Sequence, residues 1–317
     1  MKRHGYLYEK IHELNNLRVA YKLAREGKTH YREVQRIDKN PDKYLKRIQK
    51  SLIEETYKTS QYEVFEKWEG GKLRVIQALP FFPDRIVHHA IMLVCGEFWK
   101  RSLIRDTFQS LPGRGTHDVR RRVQKHIAEE NPMYYLQLDV NKFYPSIKHW
   151  VVEKYAIDKF IKCPRTIKLL KEILHSIEGL PIGSFLSQIW GNLVISPIDW
   201  FIKQDLGLKG YYRYCDDLVI FGDSKDELHE IREVVSSHIS ELHLNVKDSW
   251  VLHSVEDNGL DFCGYVFKKS GTRVRSKIKD NFKSSVKENK LESLPSYWGW
   301  IKPLKDKNLW DYAEGYL

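Results

Sequence analysis

Cysteine is scarce in this chain, with four in 317 residues. Cys95, Cys163, Cys215 and Cys263 lie far apart and form no C-x-x-C pair, which disfavours a zinc knuckle or a disulfide framework and reads as reduced thiols. Long apolar runs are also missing. No stretch approaches membrane-spanning length, and the opening MKRHGYLYEKIHELNN lacks the apolar core of a signal peptide, so a soluble, cytoplasmic protein without a membrane partner is expected. There is no internal repeat and no low-complexity linker. Acidic residues are the minority sign, 42 against 53 Lys and Arg, and the net charge of +11 points to a polyanionic partner, nucleic acid ahead of an anionic membrane surface. What is present is globular in composition, 42% hydrophobic and 13% aromatic. The length exceeds one ordinary core and suggests lobes sharing a cleft.

From about Glu9 to Phe65 the chain is rich in Lys, Arg, Glu, Leu and Ile and reads as helices separated near Asn40–Asp42. Gly71–Ile76 reads as a short strand, with Gly70 and Gly71 suited to a hairpin turn, and a helix is expected from Pro83 through Phe98. Met133–Asp139 is a strand that ends on a carboxylate. Lys148–Ile177 follows as a helical stretch interrupted at Pro164, and another helix should run from near Ser184 towards Leu206, kinked or split at Pro197. Tyr211–Phe221 reads as a hairpin. Ser224 and Glu227 form a capping box that opens a helix with Leu228, Ile231, Val234, Val235, Ile239 and Leu242 on its apolar, sheet-packing side. From Lys268 to Lys290 nine basic residues stand against Asp280 and Glu288 alone.

Chemistry concentrates in Tyr212-Arg213-Tyr214-Cys215-Asp216-Asp217-Leu218-Val219-Ile220-Phe221, where two adjacent acids fall at or beside a hairpin turn. Such turns favour Asn-Gly or Asp-Gly; adjacent carboxylates repel, and a cation would neutralise them, although an isolated Asp-Asp is equally at home in a solvated turn. Asp139 shifts that balance. If its strand neighbours the hairpin in one antiparallel sheet, three carboxylates converge as hard oxygen ligands for two magnesium ions roughly 3.5–4 Å apart. That arrangement suits activation of a primer 3′-hydroxyl and bracing of a transferring phosphate.

The Y-C-D-D box, preceded by Leu138-Asp139-Val140-Asn141-Lys142-Phe143-Tyr144-Pro145-Ser146-Ile147, resembles the palm motifs of reverse transcriptases, and the resemblance extends from about Lys72 to Tyr265. It implies an α+β right-hand polymerase with fingers, an antiparallel-sheet palm and a short helical thumb. The implied activity is RNA-directed DNA polymerisation with two Mg2+ ions. Asp139, Asp216 and Asp217 would be catalytic, and the metal ligands would be Asp139, Val140, Asp216 and Asp217, the last less directly engaged. Tyr144 matches the aromatic gate that excludes a ribose 2′-hydroxyl, leaving Phe143 to pack.

Lys72 and Arg74 alternate on a strand and so project to one face; upstream of palm motifs the pair resembles the triphosphate grip of the fingers. Asp84-Arg85-Ile86-Val87 resembles a segment common in bacterial reverse transcriptases, as a structural ion pair. The loop from Gln109 to His117 resembles the one before the first acid motif, with Arg114 a template contact; a plain surface turn fits nearly as well. His88, His89 and His117 lack the pattern of a zinc site. Pro181–Gln188 opens a helix whose Ile182, Gly183 and Gln188 would border the nucleotide. Most bacterial relatives carry Q-G-x-x-x-S-P here, whereas I-G-x-x-x-S-Q resembles the diversity-generating retroelement class, with Ile182 replacing an amide and loosening selectivity at template adenine. Phe262, Gly264 and Tyr265 resemble a primer-positioning turn. Lys247 is a candidate general acid. The final stretch would grip duplex phosphates, its aromatics Phe282, Tyr297, Trp298, Trp300 and Trp310 packing small helices.

The expected organisation is a helical region over 1–65, fingers over 66–132, palm over 133–265 and basic thumb over 266–317, with no segment left for RNase H, endonuclease or maturase functions. The resemblance implies as partners template RNA, an RNA/DNA duplex, dNTPs and a small basic accessory protein, in a prokaryotic or phage-encoded setting. Two alternatives differ from it: a retron-like, antiphage or CRISPR-associated reverse transcriptase, and a catalytically inactive RNA-binding scaffold.

Overall fold

A computed structural model of the chain describes residues 3–69 and 71–304. The chain opens with four helices, α1 (Tyr8–His12), α2 (Leu14–Ala24), α3 (Arg32–Asp38) and α4 (Pro41–Ile53). α4 starts where Pro41 takes the first helical position and the Asn40 side chain accepts a hydrogen bond from the Lys43 amide. The helical lead-in ends at Ile53, before the expected Phe65. Instead β1 (Glu63–Glu69) pairs antiparallel with β2 (Lys72–Ala78), because Val64, Phe65 and Trp68 favour a pleated strand. A wide helical turn at Phe81–Arg85 then leads into α5 (Ile86–Arg101), so the regular helix begins three residues after Pro83.

There follow β3 (Thr107–Phe108), α6 (Thr116–Glu130), β4 (Tyr134–Asp139), α7 (Phe143–Ser146), α8 (His149–Val152), α9 (Pro164–Leu174) and α10 (Phe185–Trp200). The break at Pro164 is present, with that proline at the start of α9. Pro197 does not split α10; the helix runs past it before loosening into a wide turn at Phe201–Asp205. The tight hairpin is β5 (Tyr211–Tyr214) and β6 (Asp217–Gly222). α11 (Lys225–Glu241) is capped by Ser224, whose hydroxyl accepts from the Glu227 amide at 3.3 Å. Leu228, Val235, Ile239 and Leu242 are buried as expected, whereas Val234 is exposed. The remaining elements are β7 (Val251–Ser254), β8 (Leu260–Phe262), β9 (Tyr265–Lys268), β10 (Gly271–Val274), α12 (Ser276–Lys287) and α13 (Leu294–Ile301).

The chain divides into two compact units, each assembled from separate stretches. The first holds Met1–Ile104, Asn141–Trp200 and His238–Asn245. Its centre is helical: Leu17, Ala20 and Ala24 of α2 and Ile86, Ala90 and Ile91 of α5 are fully buried, and the indole of Trp99 donates to the Ala156 carbonyl at 2.8 Å. α10 is apolar on nearly every side, the signature of a helix enclosed by protein.

The second unit holds Arg105–Val140, Phe201–Ser237 and Val246–Leu317. A five-stranded sheet runs in the order β3-β5-β6-β4-β7, parallel only between β3 and β5, and a three-stranded sheet runs β10-β9-β8. Phe108, Val119, Val123, Tyr135, Val219 and Phe262 belong to a single core that also takes in Phe267 and Phe282. The basic stretch therefore begins as strands, and α12 comes only afterwards. Tyr297, Trp298 and Trp300 pack against that core, the Trp300 ring 5.2 Å from the ring of Tyr265, so these aromatics are structural; Trp310 lies outside the described residues. Among the described residues no helix is long and apolar enough to cross a membrane.

Candidate active site

β4 alternates between the two faces of its sheet. Leu136 and Leu138 are wholly buried on one side, which places Gln137 and Asp139 together on the other. β6 pairs antiparallel with β4 and sets Asp217 directly opposite Asp139. Because Tyr214 pairs with Asp217, the β5–β6 hairpin closes on Cys215 and Asp216 alone. Cys215 has φ 59°, a left-handed conformation that tight hairpins usually give to glycine. Two contacts fix this turn: the buried Arg213 guanidinium donates to the Cys215 carbonyl at 2.8 Å, and the Val140 amide donates to the Asp216 carbonyl at 3.2 Å. Arg213 also reaches the Thr107 hydroxyl at 3.4 Å.

The three acids are held unequally. The Lys247 ammonium lies 2.6 Å from Asp139 Oδ1, and the Lys247 amide also donates to the Asp139 carbonyl. Gln137 Nε2 reaches both oxygens of Asp217, at 2.9 and 3.1 Å, and the Asp261 carbonyl at 3.3 Å. Asp261 is in turn paired with Arg275. Burial pushes the Asp217 carboxyl up to about 7; the Gln137 hydrogen bond opposes that rise, and the charges of Asp139 and Asp216 add to it. Burial, then the Asp139 charge, likewise raises Asp216. Asp216 and Asp217 resist ionisation because little positive charge reaches them, whereas Asp139 is balanced by the Lys247 ammonium. Their donors are hard oxygens, so the set fits a divalent cation such as magnesium. As they stand, no three His, Cys, Asp or Glu side chains among the described residues are arranged to hold an ion, because Asp139 is turned to Lys247 and Asp217 to Gln137.

The other sequence-selected residues fall as follows. In the second unit, Val140 is buried beside Asp139. Arg114 is half-buried in the loop before α6; its amide donates to the Leu111 carbonyl, and burial with the nearby Arg105 charge lowers its pKa. Phe262 and Tyr265 flank a two-residue turn of Cys263 and Gly264, both at positive φ, and their rings are core, which leaves the turn backbone and the half-buried Cys263 to face outward. A side chain on Gly264 would strike the Trp300 ring.

In the first unit, β2 carries Lys72 and Arg74; the Lys72 side chain lies outside the described residues, and Arg74 is exposed opposite Lys67. Ile182 precedes α10, and its carbonyl accepts from the Gln77 amide at 3.3 Å, tying the β1–β2 hairpin to the Ile182–Gly183 bend. Gly183 has φ 110°, which a side chain would rarely tolerate. Gln188 is half-buried in the first turn of α10. Phe143 is buried and Tyr144 half-buried, as packing and lining residues would be. Asp84 is buried and accepts from the Tyr57 hydroxyl and the Ser60 amide, while Arg85 donates to the Ala24 carbonyl, so the expected Asp84–Arg85 ion pair is not made.

Sequence reasoning missed Gln137, Arg213 and the Asp261–Arg275 pair. Alternation along β4 puts Gln137 on the face of Asp139, which was the available signal. Nothing local reveals that Arg213 turns inward.

The fold and this site define a class. Residues 65–267, more than half of the chain, match the family described as reverse transcriptase (RNA-dependent DNA polymerase), and the chain belongs to that family, whose members are nucleotidyltransferases. No curated protein matches the sequence. Among solved structures, telomerases from Candida tropicalis share the fold. An apo form truncated of its C-terminal domain has TM-score 0.51 at 13% identity, covering 68% of this chain and 55% of that one. A second apo form has TM-score 0.50 at 12% identity, covering 73% of this chain and 52% of that one. A complex with a fragment of telomeric RNA has TM-score 0.50 at 13% identity, covering 75% and 49%. The chain thus spans about half the length of these telomerases. The expected α+β polymerase fold is the one they show.

Proposed function

We propose that the chain copies an RNA template into DNA at Asp139, Asp216 and Asp217. The observation that carries this reading is the register of β4 and β6, which sets Asp139 opposite Asp217 with Asp216 in the adjoining turn, inside the stretch that matches the reverse transcriptase family. When bound, two Mg2+ ions would lower the pKa of the primer 3′-hydroxyl and neutralise charge on the transferring phosphate. Asp139, Asp216 and Asp217 would hold them, with Val140 completing the set. Lys247 would balance Asp139 until then, and Gln137 would fix the orientation of Asp217. Lys72 and Arg74 would bind the triphosphate, with Ile182, Gly183 and Gln188 lining the nucleotide and Tyr144 rejecting a 2′-hydroxyl. Arg114 and the Phe262–Tyr265 turn would meet template and primer. In these terms 1–65, helical as far as Ile53, leads into fingers over 66–132, palm over 133–265 and thumb over 266–317.

The finer assignment is to diversity-generating retroelements, supported by Ile182 in I-G-x-x-x-S-Q. It brings with it a structured template RNA, a small basic accessory protein, a prokaryotic or phage-encoded setting and misincorporation opposite template adenine. Primer extension on a defined RNA with Mg2+ and dNTPs, followed by sequencing of the product, tests both levels. DNA product with errors concentrated at adenine is expected. Product with even errors removes the finer assignment. RNA binding without extension, with and without an accessory protein, favours a binding scaffold.

A further inference from the structure

α10 carries a glycine in its buried interior, where glycine is the least favourable residue after proline. The packing around it gives the reason. A Cβ on Gly191 would stand 3.1 Å from Cε1 of Phe143 and 3.1 Å from Cε1 of Tyr144, closer than ordinary van der Waals contact. The backbone of that short turn cannot retreat. A Cβ on Gly179 would lie 2.6 Å from the Pro145 carbonyl oxygen, so the chain already runs directly past it, and the Leu180 amide donates to the Tyr144 carbonyl at 2.9 Å. Of the two rings at Gly191, Phe143 is 3% exposed and enclosed, whereas Tyr144 is only half-buried.

We propose that Gly191 is a specificity-determining position: the missing side chain lets the Tyr144 ring lie back against α10 and so sets how much room the incoming sugar has. The proposal rests on the reading of Tyr144 as the 2′-hydroxyl gate. A methyl group at position 191 displaces the half-buried Tyr144 ring rather than the enclosed Phe143 ring. The gate then leaves less room for the sugar, while the substitution touches none of Asp139, Asp216 and Asp217.

The test uses the full chain on poly(rA)·oligo(dT) with Mg2+, comparing dTTP with UTP. Gly191→Ala is expected to raise the dTTP KM roughly 3- to 10-fold with kcat nearly unchanged, a displacement well short of the 1 Å that costs about 100-fold. UTP use falls at least as far. Tyr144→Ala is expected to admit UTP, and in that background Gly191→Ala should have no further effect. If Gly191→Ala melts early, Phe143→Leu removes the enclosed ring atoms while leaving the contact with Tyr144, and the comparison is made in that background. Wild-type kinetics for Gly191→Ala beside a Tyr144→Ala that admits UTP overturn the Gly191 proposal and leave the gate standing. A Tyr144→Ala that still excludes UTP removes the gate reading and the proposal together. An effect of Gly191→Ala that persists without the Tyr144 ring also overturns it.

Discussion

At the scale of single residues, the acids matter less by their number than by what restrains each of them. Gln137 is the side chain that fixes Asp217, through bonds to both carboxylate oxygens. A hydrogen bond to a charged group contributes about 1.5–3 kcal/mol, so Gln137→Leu should slow extension by roughly 10- to 100-fold. Its melting temperature should stay close to wild type, since the residue is only half-buried and leucine keeps its approximate volume; a large drop in melting temperature would mean that Gln137 supports the fold. A second residue-scale effect sits far from the acids in sequence. Burial lowers His88 to about 3 and His89 to about 4, and the Arg85 charge opposes protonation of both. Unfolded, each titrates near the ordinary imidazole value of 6.5, so below that pH the unfolded chain binds more protons than the folded one. Stability is therefore full above about pH 6.5 and is lost as pH falls towards 4, by up to about 1.4 kcal/mol per pH unit from His88 alone. Melting curves from pH 7.5 to 4.5 check this, and His88→Asn should flatten the slope.

At the scale of elements, much was legible because local chemistry and final pairing agree. The strand ending on Asp139, the Tyr211–Phe221 hairpin, the Ser224 cap and the break at Pro164 all follow from alternation, capping and proline rules. Where the sequence misleads, long-range packing has decided. β1 lies in a Lys- and Glu-rich run that resembles helix until β2 pairs along its whole length. β9 and β10 adjoin and enter a basic run whose charges suggest a thumb helix, yet Tyr265, Val266, Phe267 and Val274 are buried strand residues. Gln137 was within reach of the sequence; Arg213, Gly179 and Gly191 were not, since their roles depend on what lies across from them. Two substitutions test the element accounts. Ser224→Ala removes the α11 cap and should cost about 1 kcal/mol in denaturant unfolding. Gly179→Ala meets both φ 69° and the Pro145 carbonyl, and should cost at least about 2 kcal/mol, seen as early melting.

At the scale of the whole molecule, the charge of +11 favours a polyanionic partner. Lys277 and Lys287 of α12 are exposed, as duplex-phosphate contacts should be. Replacing either with Gln should weaken RNA/DNA duplex binding uniformly across sequences and reduce the slope of log affinity against log salt by about 1. An unchanged slope would move the duplex contact elsewhere. Catalysis is the larger claim, and it rests on three aspartates drawn from β4 and the β5–β6 turn. The most direct test is extension of a DNA primer on an RNA template with Mg2+ and dNTPs, comparing wild type with Asp139→Asn and with Asp216→Asn/Asp217→Asn at matched RNA binding. Wild type should synthesise DNA and both variants should lose synthesis while binding persists; synthesis that survives loss of these carboxylates would place catalysis elsewhere in the molecule.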